Sequence, residues 1–491
     1  MIVRNKPKKK LLIFFIVLVL ATACTNKTDN KKPNILFIFT DDQNAETLGI
    51  AGNPYIQTPT IDQLAKEGTR FTNTYVMGGF HGAICMTSRA MLFSGKNFFK
   101  VRDQLNNVPT MTMDFAKAGY TTFGTGKWHN EKEAFEASFQ QAKNVYLGGM
   151  ADHYAIELRD YDSEGKLNHP VKKGYSTELF ADSAIDFIRS QKEAENPFFC
   201  YVAFTAPHDP YSPEAAYVDY YPDGTIPLPG NYMPFHPFQF DDLTVRDENL
   251  TGWPRKPEVI QMILSDYYAL VTHVDHQVGR ILKVLEETGL LENTIIVYTA
   301  DNGLAVGSHG LLGKQSLYEH SIKVPLIIKG PGIPSNQELD AFAYIHDLYP
   351  TLAELVGLPL KEELDGRSLV SVIHGEKASV RDALFTAYRN TVRAIRKDDW
   401  KLIRYPERDY TQLFDLGKDP LEINNLAENP TFVDQKERLL TLLAKEQIDA
   451  QDTVKLKAAI IKPLAYNPDT LKRSPDRWQP EYTIKRYFEE N

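Results

Sequence analysis

The sequence predicts an α/β fold with a mostly parallel sheet flanked by helices, followed by a smaller C-terminal subdomain with an antiparallel sheet. Three observations carry this expectation. Apolar runs of strand length alternate with amphipathic stretches of helix length, as in βαβ units. Several of those runs end in acids, lysine or histidine, and ligand sites of open α/β sheets lie outside the carboxyl ends of the strands. Near residue 376 the pattern changes to short strands separated by polar turns.

Taken in order, NILFIFTDD (34–42) is a continuous apolar run ending in two aspartates, which suits a central strand buried on both faces. TPTIDQLAKEGTRFTNTYV follows as a helix with a Thr/Pro start and a glycine stop, then a strand. MTMDFAKAGYTTFGTGKWH repeats that plan and closes on Lys127 and His129. TELFADSAIDFIRSQ is amphipathic, and PFFCYVAFTAPHDPY is a buried strand opening into a loop at His208. VIQMILSDYYALVTHVDHQVGRILKVLEETG is a long helix stopped by glycine. NTIIVYTADNG is again a strand ending in acids, and VPLIIKGPG is one more. Beyond residue 376, ALFTAYRNTVRAIRKDDWKLIRY and QLFDLGKDP predict the small antiparallel sheet. A helix over about 431–448 packs beside it, and a Pro- and Tyr-containing tail completes the chain.

With 491 residues, 43% of them hydrophobic, the chain can bury a large core. Its formal net charge is −9 and no basic block follows the extreme N-terminus, so a nucleic-acid role has no electrostatic footprint. An anionic substrate is not excluded, because a local cluster of Lys, Arg or metal reverses the field inside a cleft. Residues 1–23 combine the basic MIVRNKPKKK with an apolar run of thirteen residues, too short for a spanning helix and suited to a signal peptide. LATAC resembles a bacterial lipobox, which makes Cys24 the expected lipidation site. Residues 24–32 are then a polar tether, 33–375 the main α/β domain and 376–491 the C-terminal subdomain and tail. The expected location is the bacterial cell envelope, with the lipid holding the chain on a membrane.

Asp41 and Asp42 are adjacent carboxylates at one strand end, and Asp301 and Asn302 form a second such pair about 260 residues on. A lone strand-end Asp commonly caps a turn. Acid pairs converging on one spot repel unless a cation neutralises them, and hard oxygen ligands suit Ca²⁺ or Mg²⁺ rather than zinc. Of the other two cysteines, Cys200 sits in the apolar PFFCYVAF as an inert core thiol. Cys85 is different: in GGFHGAICMTSRAMLFSGK it stands in a polar, glycine-flanked setting with Arg89 one helical turn beyond.

The stretches NILFIFTDDQ, CMTSRAMLFSGK, GKWH, APHDPY, TADNG, GLLGKQSLYEHSIKVPLI and DDWKLIRY…LFDLGKDPLEINNLA occur in an order that spans residues 33 to about 430. In them the chain resembles the type I, formylglycine-dependent sulfatases of the alkaline phosphatase superfamily. The resemblance implies that Cys85 is oxidised by a formylglycine-generating maturation enzyme to 3-oxoalanine, whose hydrated aldehyde is the nucleophile. Arg89 matches the motif's arginine. The chain departs from the usual pattern at Thr87, where proline or alanine is typical, and at Ser94–Gly95, where Thr-Gly is typical. The resemblance further assigns Asp41, Asp42, Asp301, Asn302 and the modified Cys85 to a Ca²⁺ (or Mg²⁺) site. Lys127 and Lys314 are implied to hold sulfate oxygens, His129 to contact the formylglycine hydroxyl, and His208 to protonate the leaving alcohol. His81 and His309 are candidate substrate-pocket residues, and Asp209 and Tyr211 either touch substrate or only shape the loop.

The implied reaction is sulfate-ester hydrolysis at the S–O bond. The expected substrate is a sulfated glycan: an algal polysaccharide such as ulvan or carrageenan, or a glycosaminoglycan, or its oligosaccharides. The Pro- and aromatic-rich segment 217–242 offers rings for sugar stacking or for a packed Ω-loop. Two alternatives stand beside this reading. One is a phosphodiesterase or phosphonate hydrolase of the same superfamily; the other is a non-catalytic glycan-binding lipoprotein that is never matured at Cys85.

Overall fold

The computed structural model describes residues 1–2, 31–360, 363–473 and 476–489. The expected signal segment and Cys24 lie outside the described residues, and among these no helix is long and apolar enough to cross a membrane. The strands begin with β1 (Asn34–Asp41), β2 (Thr69–Tyr75), β3 (Gly78–Gly79), β4 (Thr121–Lys127) and β5 (Gln141–Tyr146). They continue with β6 (Glu157–Leu158), β7 (Val171–Lys172), β8 (Phe198–Pro207), β9 (Thr294–Ala300) and β10 (Lys323–Lys329). The last are β11 (Gln337–Tyr344), β12 (Leu384–Tyr388), β13 (Val392–Lys397), β14 (Trp400–Tyr405) and β15 (Tyr410–Asp415).

Eight of them form the central sheet in the order β11-β2-β10-β9-β1-β8-β4-β5. All its pairings are parallel except those of β10, which runs antiparallel to both β9 and β2. The reason is the connection. Residues 301–322 carry no crossover helix from β9 back to the far edge, so the chain re-enters the sheet from the end at which it left. Sheet order also explains the continuous apolar runs. In β1, Ile35, Phe37 and Phe39 enter the core on one face while Leu36 and Ile38 enter the core on the other. In β8 the same alternation puts Cys200 fully inside, where burial pushes its thiol far above its ordinary pKa.

Helix Pro257–Glu287 opens with proline in its first turn and packs on β8 and on helix Ser176–Ser190. The second sheet has the order β15-β14-β13-β12-β3 and is antiparallel apart from the β12–β3 pair. Helix Val433–Ala450 covers it, shifted toward the C-terminus by about two residues from the expected bounds. The sheet's edge strand β3 comes from far upstream and stands just ahead of Cys85. Gly78 has φ 116°, and a Cβ there would lie 1.8 Å from the Ala387 carbonyl oxygen, so only glycine permits this pairing. The described residues from Pro33 onward accordingly pack as one unit.

Candidate active site

Strand order brings distant residues together. In the run β9-β1-β8-β4 all strands are parallel, so their carboxyl ends share one edge of the sheet. From that edge β1 delivers Asp41 and Asp42, β4 delivers Lys127 and His129, β8 delivers His208, and β9 delivers Asp301 and Asn302. The loop between β9 and β10 adds Lys314. After α1 (Pro59–Lys66), helix α2 (Ile84–Ser94) contributes Cys85 in its first turn and Arg89 one turn later on the same face. Asp42 and His129 have φ of 64° and 69°, left-handed conformations uncommon for such residues and held here by the surrounding structure.

The side chains of Asp41, Asp42, Asp301, Arg89, Lys127 and Lys314 are all buried. Arg89 donates from Nε (3.2 Å) and Nη2 (2.9 Å) to Asp301 Oδ2, and from Nη1 to the Lys127 carbonyl (2.7 Å) and the Tyr201 hydroxyl (3.0 Å). Lys127 pairs with Asp41, and Lys314 Nζ lies 2.6 and 2.8 Å from the two Asp42 oxygens. Burial, then repulsion from Asp301, lifts the Asp41 carboxyl to about 7. Asp301 is held low because Arg89 and Lys127 outweigh its desolvation.

Four oxygen-bearing side chains thus crowd one point, and Asp41, Asp42 and Asp301 can each offer an oxygen within 4.8 Å of the others. Among the described residues, Asp41 Oδ1 and Asn302 Oδ1 are buried and have no hydrogen-bond partner. Buried acceptors without partners cost about 1–3 kcal/mol each, and all the donors here are hard oxygens. The residues fit a divalent cation of the Ca²⁺ or Mg²⁺ type.

Cys85 Sγ stands 3.2 Å from His129 Nδ1, 3.6 Å from Lys127 Nζ and 3.9 Å from Lys314 Nζ. Burial outweighs both lysines and pushes the thiol up to about 11, so the side chain is a protonated thiol at neutral pH and a poor nucleophile as it stands. Desolvation, followed by the charge of Lys127, holds His129 well below its ordinary pKa and therefore neutral. For His208, burial opposes the charge, yet the carboxylates of Asp42, Asp209 and Asp41 outweigh it and raise the pKa. Its Nε2 lies 3.5 Å from Asp42 Oδ2.

All six expected catalytic residues and all the expected metal ligands therefore meet in one cluster. The four substrate candidates separate. Asp209 touches His208 (Oδ1 3.2 Å from Nδ1) and is gripped by Arg246 and by Gln479, whose Nε2 donates at 2.7 Å. His81 pairs with Asp103 at 2.6 Å, with 43% of its side chain exposed. Tyr211 is buried edge-on against Tyr267, 6.1 Å between ring centres. His309 stacks on Tyr318 at 3.9 Å with Nε2 3.0 Å from the Glu422 carbonyl oxygen. In segment 217–242, Tyr221, Phe238 and Phe240 are packed in the interior.

Sequence reading missed three supporting residues. Tyr201 holds Arg89 from inside an apolar strand, where nothing but period-two position distinguishes it. His153 Nε2 reaches the His208 carbonyl at 3.1 Å from an irregular segment. Arg246 pairs with Asp209 but belongs to no motif; its one signal is a charge cluster, RDE.

A family model described as Sulfatase matches residues 33–358, and one described as N-sulphoglucosamine sulphohydrolase, C-terminal, matches residues 307–449. An N-acetylglucosamine-6-O-sulfatase of Bacteroides thetaiotaomicron is 28% identical, with 92% of each chain covered. An ulvan-active sulfatase of Formosa agariphila is 29% identical over 89% of this chain and 85% of its own. A protein solved in complex with its substrate, D-glucosamine-2-N,6-O-disulfate, superposes with a TM-score of 0.74 at 25% identity, covering 86% of this chain and 99% of that one.

Proposed function

Because the chain belongs to the sulfatase family, we propose that it hydrolyses sulfate esters carried by a sulfated polysaccharide or its oligosaccharides: ulvan, carrageenan or a glycosaminoglycan. The observation that carries the reaction is the meeting of Cys85 with His129, Lys127, Lys314 and His208 beside four oxygen donors. Formylglycine made from Cys85 supplies a nucleophilic hydroxyl, and a divalent cation, with Ca²⁺ the proposed one, supplies Lewis acidity; Asp41, Asp42, Asp301 and Asn302 would hold that cation. The chain's own groups do the rest. Neutral His129 Nδ1, next to the position-85 side chain, accepts its proton. Lys127 and Lys314 hold the anionic oxygens of the transferring group and oppose the charge that builds there. Arg89 fixes both Asp301 and the backbone of Lys127, so the acid and the lysine keep their spacing. His208, whose carboxylate neighbours outweigh its burial and favour the protonated form, gives a proton to the departing alcohol.

That last assignment has a distinctive readout. An alkyl alkoxide leaves poorly without a proton, whereas a nitrophenolate leaves unaided. His208→Ala is expected to lower kcat on a sugar sulfate by about 10²–10⁴-fold, the usual worth of an acid, and to cost much less on nitrophenyl sulfate. Equal losses on both would remove the acid role. The function as a whole is tested by sulfate release from heparin, chondroitin, ulvan and carrageenan oligosaccharides by matured protein, beside aryl phosphate diesters and phosphonates. A phosphorus ester turned over with a higher kcat/KM than every sulfate ester would overturn it.

Support for the location comes from the sequence alone. The basic stretch, the apolar run and LATAC suggest export, lipidation of Cys24 and attachment to the bacterial cell envelope, with the maturation enzyme a transient partner. Labelling with a radioactive fatty acid should mark the native chain and not Cys24→Ala; equal labelling of both would refute the anchor.

A further inference from the structure

Ligand sites are commonly cavities of about 300–1,000 Å³, and one of ≈ 410 Å³ lies against the catalytic cluster, bounded by Tyr146, Gly149, Met150, Glu157, Arg159 and Trp478 among others. Three connections place it there. Tyr146 of β5, one of its lining residues, is the register partner of the catalytic Lys127 in β4. Gly149 lies against His129: a Cβ on it would sit 2.8 Å from the imidazole Nε2. Trp478 precedes Gln479, which donates to Asp209 next to His208. The cavity is therefore bracketed by the segments that hold both catalytic histidines.

Its chemistry is specific. Trp478 lines the cavity and is 50% exposed. The guanidinium of Arg477 lies over that indole at 4.7 Å. Arg159 donates to the Asn168 carbonyl at 2.6 Å and pairs with no carboxylate among the described residues. Glu157 offers an acceptor at the same wall. An aromatic ring, the Arg159 guanidinium and one carboxylate describe a site for a ring that is apolar on its face, hydroxylated on its edge and anionic at one corner.

We propose that this cavity is a subsite for a second, anionic sugar of the substrate, with Trp478 stacking on its ring, Arg159 holding its sulfate or carboxylate and Glu157 accepting from its hydroxyls. The inference rests on the sulfated-glycan reading above and makes the C-terminal tail part of the recognition surface. Of the residues that line this cavity, Trp478 is the exposed aromatic ring.

The test uses two measurements on the full chain. In matured protein, Trp478→Ala and Arg159→Gln are compared on a sulfated disaccharide from heparin, a carrageenan oligosaccharide and nitrophenyl sulfate. KM for the saccharide that the parent cleaves should rise about tenfold, the scale of one aromatic contact, with a much smaller change on the aryl ester. Equal losses on both kinds of substrate, or no loss on the saccharide, overturn the subsite and leave the function standing. Calorimetric titration of the same saccharides into Cys85→Ala protein, with and without Trp478→Ala, needs no turnover. Weaker binding in the double variant supports the subsite even if no ester is cleaved, which would sink the function instead. Failure of every saccharide to bind the Cys85→Ala parent overturns the subsite.

Discussion

Cys85→Ala removes sulfate-ester turnover, lowering kcat/KM by roughly 10⁴-fold or more, the scale on which loss of a nucleophile is felt, while the protein stays folded. The two halves of this expectation come from different facts. Position 85 is where His129, Lys127 and Lys314 converge within 3.9 Å of a single side-chain atom. No other side chain in the cluster is a nucleophile of suitable kind, since Asp41 and Asp42 are engaged by the two lysines. Among the described residues the thiol contributes no structural hydrogen bond beyond these, and alanine removes only one buried atom from the first turn of α2. Thermal unfolding should therefore be nearly that of the parent. A companion measurement isolates the chemistry from the mutation. Tryptic mass spectrometry of residues 71–89 from the native host should show the lighter aldehyde form, and turnover should scale with its fraction. Protein that retains the thiol, with the pKa of Cys85 at about 11, should be inactive. Near-normal turnover by Cys85→Ala, or by wholly unmodified chain, would rule out position 85 as the nucleophile and favour a binding role.

How far the site was legible in sequence depended on where each residue stood. The catalytic and metal residues sit at strand ends, where an apolar run stops at acids, Lys or His, and an ordered set of such endings is plain in the bare chain of letters. Convergence needed only one further step, that parallel strands share an edge. The orientation of β10 was hidden because VPLIIK reads the same in either direction; the direction was decided by residues 301–322, which lack a crossover helix. Tyr201 was hidden for a related reason. A tyrosine within an apolar strand is ordinarily core, and its hydroxyl acquires a task only when Arg89 arrives from another element. Asp209 read equally as a substrate contact or as a residue that shapes its loop, and its partners Arg246 and Gln479 come from distant, motif-free segments. The tail was the least legible part. Its residues follow no helical or strand period, and their meaning lies wholly in what they pack against.

Chelation gives the second large effect. Dialysis of matured protein against EGTA and EDTA should reduce turnover by about 10²–10³-fold, the usual range for losing one strong electrostatic contribution at a reacting oxygen, and Ca²⁺ should restore it. Stability should follow the same ion. Three buried carboxylates within 4.8 Å of one another are balanced by Arg89, Lys127 and Lys314, but Asp41 Oδ1 and Asn302 Oδ1 are left without a hydrogen bond. A cation that engages those two atoms binds the folded chain and finds no such site in the unfolded one. At a concentration one hundred times its Kd it would add about 2.7 kcal/mol, a rise of a few degrees in Tm. Asn302→Ala deletes one of the two orphaned oxygens without altering charge, so it should shift the ion dependence of both turnover and Tm to higher concentration. Asp41→Asn should do so more strongly, because it also removes the partner of Lys127. Position 85 is left intact in both variants, so excess Ca²⁺ should recover part of the lost activity, which distinguishes weakened ion binding from damage to the nucleophile. Identical melting curves in EGTA and in Ca²⁺ or Mg²⁺, with turnover unchanged by chelation, would show that the lysines and Arg89 alone neutralise these acids and that the cluster is an ion-pair network rather than a metal site.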